Sequence, residues 1–266
     1  MAASVFDGME TMPTCIWCLK ENGQSSVEHV IPEALGCPEG FTLTGGTVCR
    51  SCNNGQAHLD QAVIDDFDMA AFLANVPRKG GRPPVVKGRG NLVATRGRCG
   101  PEISINMDPV TNVAHDGSAL GAFGRSRRNV KASLVRNRNT VRVSYSTPIG
   151  QNPKFVRGIT KIAFSSFAYF QGPEIALQEQ FSPVRAFVRN GIGKRPVLMI
   201  FGEDTRYSNR AWPPYESETG EYTITFRLAA AEFLVDLSPA LSLSILFEKK
   251  LAEVCDEKSW TWMGST

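Results

Sequence analysis

The chain has 266 residues, 42% of them apolar and 21% charged, with a formal net charge of +3. This is the composition of an ordinary soluble globular protein, long enough for one large domain or two smaller ones. No run of 18 apolar residues occurs, which excludes a transmembrane helix and gives no reason to expect a membrane partner.

Residues 1–14, beginning MAASVFDGMETMP, read as a flexible lead-in. They are acidic and lack a basic start and an apolar core, so no secretory signal is expected. Cys15 and Cys18 then open a Cys-x-x-C pair, and after thirty residues Cys49 and Cys52 make a second. Two such pairs let four thiolates close a tetrahedral zinc site. The gap exceeds that of a simple zinc ribbon, so a folded element is expected between the knuckles. There lie Glu28-His29-Val30-Ile31-Pro32, and Asn53, Asn54 and His58 follow the last cysteine. Four of the seven cysteines sit in these pairs, a usage that suits metal binding in a reducing cytoplasm. Cys37, Cys99 and Cys255 read as core or incidental.

These residues together resemble an HNH nuclease module of the ββα-metal type, in the variety braced by a four-cysteine zinc site. Glu28-His29-Val30-Ile31-Pro32 matches the acid–His pair ending the first strand, and Cys49-Arg50-Ser51-Cys52-Asn53-Asn54 matches the start of the helix. The resemblance covers residues 12–62 and leaves the other 200 or so unassigned. It implies phosphodiester hydrolysis of nucleic acid, most simply double-stranded DNA, leaving 5′-phosphate and 3′-hydroxyl ends. His29 would be the general base, and Glu28 and Asn53 would hold a divalent ion. Asn54 and His58, four apart on one helical face, form a competing ligand pair. The family more often carries Asp where Glu28 stands, and its central Asn has no match in Thr42-Leu43-Thr44-Gly45-Gly46-Thr47. Thr44 or Thr47 offers a hydroxyl in its place. Asp60 has no fixed role, pairing with a basic residue being one.

The chemistry of these residue types agrees with that assignment. A neutral imidazole near pH 7 accepts a proton from water, and a cation must carry the charge gathering on the phosphorus oxygens. Four thiolates fill zinc's coordination shell and leave no place for water, so the zinc is structural. A second, hard ion is expected in an oxygen-rich, partly hydrated site, magnesium or manganese.

A β-hairpin is expected over 27–48, then a helix from near Asn53, with Asn as its N-cap, to about Asn75. Residues 77–101, rich in Gly, Pro and basic side chains, read as a linker or ligand-closing loop between an HNH module (1–76) and a mixed α+β domain (102–266). Strands are expected at 91–95, 102–106, 130–135 and 140–145. An amphipathic helix over 153–170 carries Lys154, Arg157 and Lys161 along one flank, and a second spans about 174–189. Strands follow at 196–201, 222–228 and 232–237, while 241–247 is ambiguous.

Charge is unevenly spread. From Met69 to Gln171 there are seventeen Lys and Arg against Glu102, Asp108 and Asp116, which leaves the rest of the chain net acidic. One cluster holds Arg78, Lys79, Arg82, Lys87, Arg89, Arg96 and Arg98, the other Arg125, Arg127, Arg128, Lys131, Arg136, Arg138 and Arg142. The bias to Arg suits bidentate phosphate contacts, so these clusters are the expected nucleic-acid grip. A solvated face balancing the acidic remainder, and a zinc-ribbon protein that docks nucleic acid or a partner without cutting, are the alternatives. Residues beyond 100 could also sense a small signal, although no nucleotide-binding glycine motif is present. Oligomeric state and pathway are not legible in the sequence.

Overall fold

The structure is a computed structural model that describes residues 12–21, 24–74, 76–77, 149–150, 152–201, 207–245, 247, 249 and 260–264, and the backbone of strands between 85 and 146. The architecture is mixed α+β, with every paired strand antiparallel.

The N-terminal module holds two short strands, β1 (Glu28–His29) and β2 (Thr42–Leu43), paired Glu28 to Leu43 and His29 to Thr42. Between them, a 3-10 turn over Glu33–Leu35 ends at Gly36, whose φ of +81° suits a residue without a Cβ. The expected hairpin is thus present, with two residues of each strand in ladder and the Ser26 amide donating to the Val48 carbonyl at its base. Helix α1 runs Arg50–Leu73, starting three residues before the expected Asn53. The reason is local: the Cys52 amide donates to Cys49 Sγ at 3.3 Å, so the sulfur caps the helix where an Asn oxygen was expected.

Strands β3 (Val85–Lys87), β4 (Leu92–Gly97) and β5 (Gly100–Ile105) form one sheet, and β6 (Lys131–Asn137) and β7 (Thr140–Ser146) a hairpin. Four strands were expected here, and β3 falls inside the stretch read as linker or loop. The side chains of both basic clusters lie outside the described residues.

Helix α2 (Pro153–Gln171) is the most enclosed of the long helices among the described residues. Asn152 caps it by accepting from the Lys154 amide at 3.0 Å, and Pro153 occupies the first turn. From Phe155 to Ala168 only Arg157 is not buried, so the helix is enclosed on all sides. One side meets α1. A Cβ on Gly158 would lie 2.8 Å from the Leu59 carbonyl oxygen and 2.6 Å from Val63 Cγ2, so the missing side chain lets the two backbones close.

The other side of α2 meets a sheet ordered β10 (Tyr215–Glu216), β11 (Tyr222–Leu228), β12 (Ala231–Asp236), β8 (Val197–Phe201), β13 (Trp260–Met263), with β9 (Arg210–Ala211) also on β11. The expected second helix is broken into α3 (Pro173–Ala176), a 3-10 turn over Glu179–Phe181 and α4 (Ser182–Asn190). Arg185 fills the break by donating to the Ala176 and Gln178 carbonyls. Residues 242–245 are helical, resolving the ambiguous stretch. One cluster of buried side chains runs from Cys15 and Trp17 through Leu59 and Val63 to Phe164, Phe226 and Phe233.

Candidate active site and zinc centre

The two knuckles bring Cys15, Cys18, Cys49 and Cys52 together with all four sulfurs within 4.8 Å of one another. Cys18 and Cys49 Sγ are 3.9 Å apart, close to the edge of a tetrahedron built on zinc–sulfur bonds of about 2.3 Å. Backbone holds this shape. The Cys49 amide donates to Cys15 Sγ at 3.4 Å, and Leu19 closes the first knuckle with φ at +58°, its amide donating to the Cys15 carbonyl. Without a metal the sulfurs compete for protons. Hydrogen bonding from Cys52 lowers Cys15 to about 4, whereas Cys52 is pushed far up by sharing its proton with the Cys15 thiolate. A dication relieves that crowding for all four, so the donor set fits zinc.

The second half of the chain anchors the module. Trp17 is fully buried and meets Phe164 of α2 edge-on at 5.2 Å, and Arg189 of α4 donates to the Trp17 carbonyl. Arg157 turns off its helix to donate to the Val188 and Arg189 carbonyls. Tyr207 and Asn209 both donate to the Leu35 carbonyl, fixing the loop between β1 and β2.

Around β1 the period-two alternation of a strand separates neighbours. Glu28 turns inward with 2% exposure, and His29 turns outward. Asn53, one turn into α1, donates its amide nitrogen to the Val27 carbonyl at 3.0 Å and to the Ser26 hydroxyl at 3.3 Å. That use of the nitrogen leaves the amide oxygen as the acceptor beside the strand end. Asn54 is exposed, and His58 Nδ1 lies 2.9 Å from the Gly55 carbonyl of its own helix, which occupies one ring nitrogen of the competing ligand pair. Thr47 donates its hydroxyl to Thr44 within one turn at 2.8 Å, so it does not brace His29. The Val30 amide donates to the Phe41 carbonyl instead, at 3.2 Å.

A residue that sequence reasoning placed only on a helix flank enters the site. Lys161 of α2 is buried, with Nζ 2.6 Å from Glu28 Oε1 and 2.8 Å from both carboxylate oxygens of Asp60. The Glu28 contact is an ion pair made outside hydrogen-bond geometry. Asp60 thereby finds the basic partner that was one reading of it. Burial raises the Glu28 carboxyl above its usual value against the pull of Lys161. Burial works to lower Lys161, but Glu28 and Asp60 outweigh it and leave the ammonium above its usual value. On α1, Asn53, Gln56 and Asp60 share one face by their spacing of three and four. Gln56 is buried, and both its amide atoms lack a hydrogen-bond partner among the described residues.

A strand pair and helix clamped by a four-cysteine centre, with an acid, a histidine and a helical Asn at their junction, define a zinc-braced ββα module. Residues 15–68 match the family model described as HNH endonuclease. That match implies a nucleic-acid substrate, phosphodiester hydrolysis and a divalent ion. No curated protein and no solved structure matches the chain. No described helix is long and apolar enough to cross a membrane.

Proposed function

We propose that the chain is a metal-dependent endonuclease acting on double-stranded DNA, with His29 as general base and Glu28 and Asn53 as holders of magnesium or manganese. The observation that carries this reading is the Asn53–Val27 hydrogen bond, which ties the helix after the second knuckle to the strand end presenting His29. His29 is exposed, so substrate and water reach its ring without a conformational change. The ring would take the proton from the attacking water. Asn53 would offer its amide oxygen, and Glu28 one carboxylate oxygen. A hard ion would fit such oxygen donors. When bound, the ion supplies positive charge to the phosphorane oxygens. The basic clusters Arg78–Arg98 and Arg125–Arg142 would grip the backbone by phosphate contacts, as part of the chain beyond the HNH module.

Purified protein should nick or cut duplex DNA with magnesium or manganese, and His29→Ala should abolish cutting while zinc content and unfolding stay as in wild type. Cutting by His29→Ala at the wild-type rate would remove the base assignment.

A second reading rests on Glu28 itself. Its carboxylate is buried and already paired with Lys161, which suits a zinc-braced module that docks nucleic acid or a partner without cutting. Salt-sensitive DNA binding with no cleavage under any divalent ion would favour that reading.

A further inference from the structure

We propose that Lys161 is an internal competitor for the nuclease's divalent ion, an ammonium that occupies a cation position at Glu28 and so sets how tightly the site holds metal. The inference rests on the reading of Glu28 as a metal ligand.

Three observations carry it. Lys161 Nζ lies 2.6 Å from Glu28 Oε1, about the reach of a metal-bound water to a carboxylate. Both groups are buried, so their charges act on a neighbouring ion with little screening by solvent. Asp60, bonded to the same Nζ through both oxygens at 2.8 Å, anchors the ammonium and offsets part of its charge. The three groups together carry one net negative charge. Removing the lysine leaves two negative charges facing a dication, and neutralising Asp60 leaves none.

The placement follows from the packing. Gly158 lets α2 touch α1 at Leu59 and Val63, and Lys161, nearly one turn further on, therefore meets Asp60 on α1 and Glu28 on β1. Lys161 is a positioning residue: it acts on Glu28 and on ion affinity rather than on the reacting phosphate. Because it belongs to α2, the nuclease module's affinity for its ion is set by an element outside residues 15–68.

The test is a titration of the zinc-loaded full-length protein with Mn2+, free Mn2+ being followed by its electron paramagnetic resonance signal. Wild type, Glu28→Gln, Lys161→Met and Asp60→Asn are compared, each checked for zinc content and cooperative unfolding. Glu28→Gln should lose the site. Lys161→Met should bind Mn2+ about tenfold or more tightly, and Asp60→Asn about tenfold more weakly. If Glu28→Gln loses the site but the other two variants stay within about threefold of wild type, the role of Lys161 is overturned and the ligand assignment stands. If Glu28→Gln binds as wild type does, both fall. Should Lys161→Met fail to fold, Asp60→Asn decides: weakened binding supports the proposal and unchanged binding overturns it.

Discussion

Nζ of Lys161 and Oε1 of Glu28 lie 2.6 Å apart, although one residue belongs to helix α2 and the other to the first strand of the zinc-braced module. Both are buried, and Asp60 completes the cluster from α1. Breaking a buried pair by removing one partner strands the other charge. Lys161→Met should therefore cost about 3–5 kcal/mol in urea unfolding, and Glu28→Gln with Lys161→Met together should cost less than the sum of the two. Additive costs in that cycle would show that the pair is not energetically coupled.

The same lysine sets an alkaline limit. Its folded pKa is raised by Glu28 and Asp60 above 10.5, so its contribution is complete below that pH and is lost as pH rises through the folded value. Wild type should lose stability over that window, and Lys161→Met should lose less. Equal slopes in pH-dependent denaturation would contradict the assignment.

At Gly158 the backbone of α2 closes on that of α1. Gly158→Ala puts a Cβ 2.8 Å from a backbone oxygen that cannot swing away. The gain in helix propensity, about 1 kcal/mol, should be outweighed by overpacking of about 1–3 kcal/mol. Gly158→Val should be worse, and both should be measured by denaturant midpoint. A stabilised Gly158→Ala would mean that α1 and α2 can separate freely.

Zinc removal should reach beyond the module. Trp17 sits between the two residues of the first knuckle's pair and packs against Phe164, so loosening the knuckle frees a buried indole in the common core. A strong chelator, or acid that protonates the thiolates, should release one zinc per chain, shift tryptophan emission to the red and lower the thermal transition. Zinc release with no change in the transition would separate the module from the core.

If the basic clusters grip DNA, charge should show in the salt dependence. Replacing Arg125, Arg127 and Arg128 by Ala should flatten the slope of log K against log salt by about 0.9 for each phosphate no longer neutralised. An unchanged slope would place the DNA elsewhere.

Much of the module was legible in the residues themselves, for a physical reason. Metal ligation demands fixed spacing of two Cys-x-x-C pairs, so Cys15, Cys18, Cys49 and Cys52 announce themselves locally. The hydrophobic periods of α2, β11 and β12 are likewise local, and the structure places those elements within a residue or so of where the pattern put them. The start of α1 was misplaced because a cysteine sulfur caps it, a donor–acceptor pairing with no sequence signature of its own.

The short edge strands β9, β10 and β13 were missed because what defines them is the neighbour they pair with. Lys161 gave the least warning. On a helix, a lysine beside polar neighbours reads as solvated, and nothing local tells that the helix will be covered on every side. Sequence alone determined the two Cys-x-x-C knuckles whose four sulfurs come together. Only the tertiary structure decided which cation meets Glu28, because that depends on two helices closing at a glycine nearly one turn before the lysine.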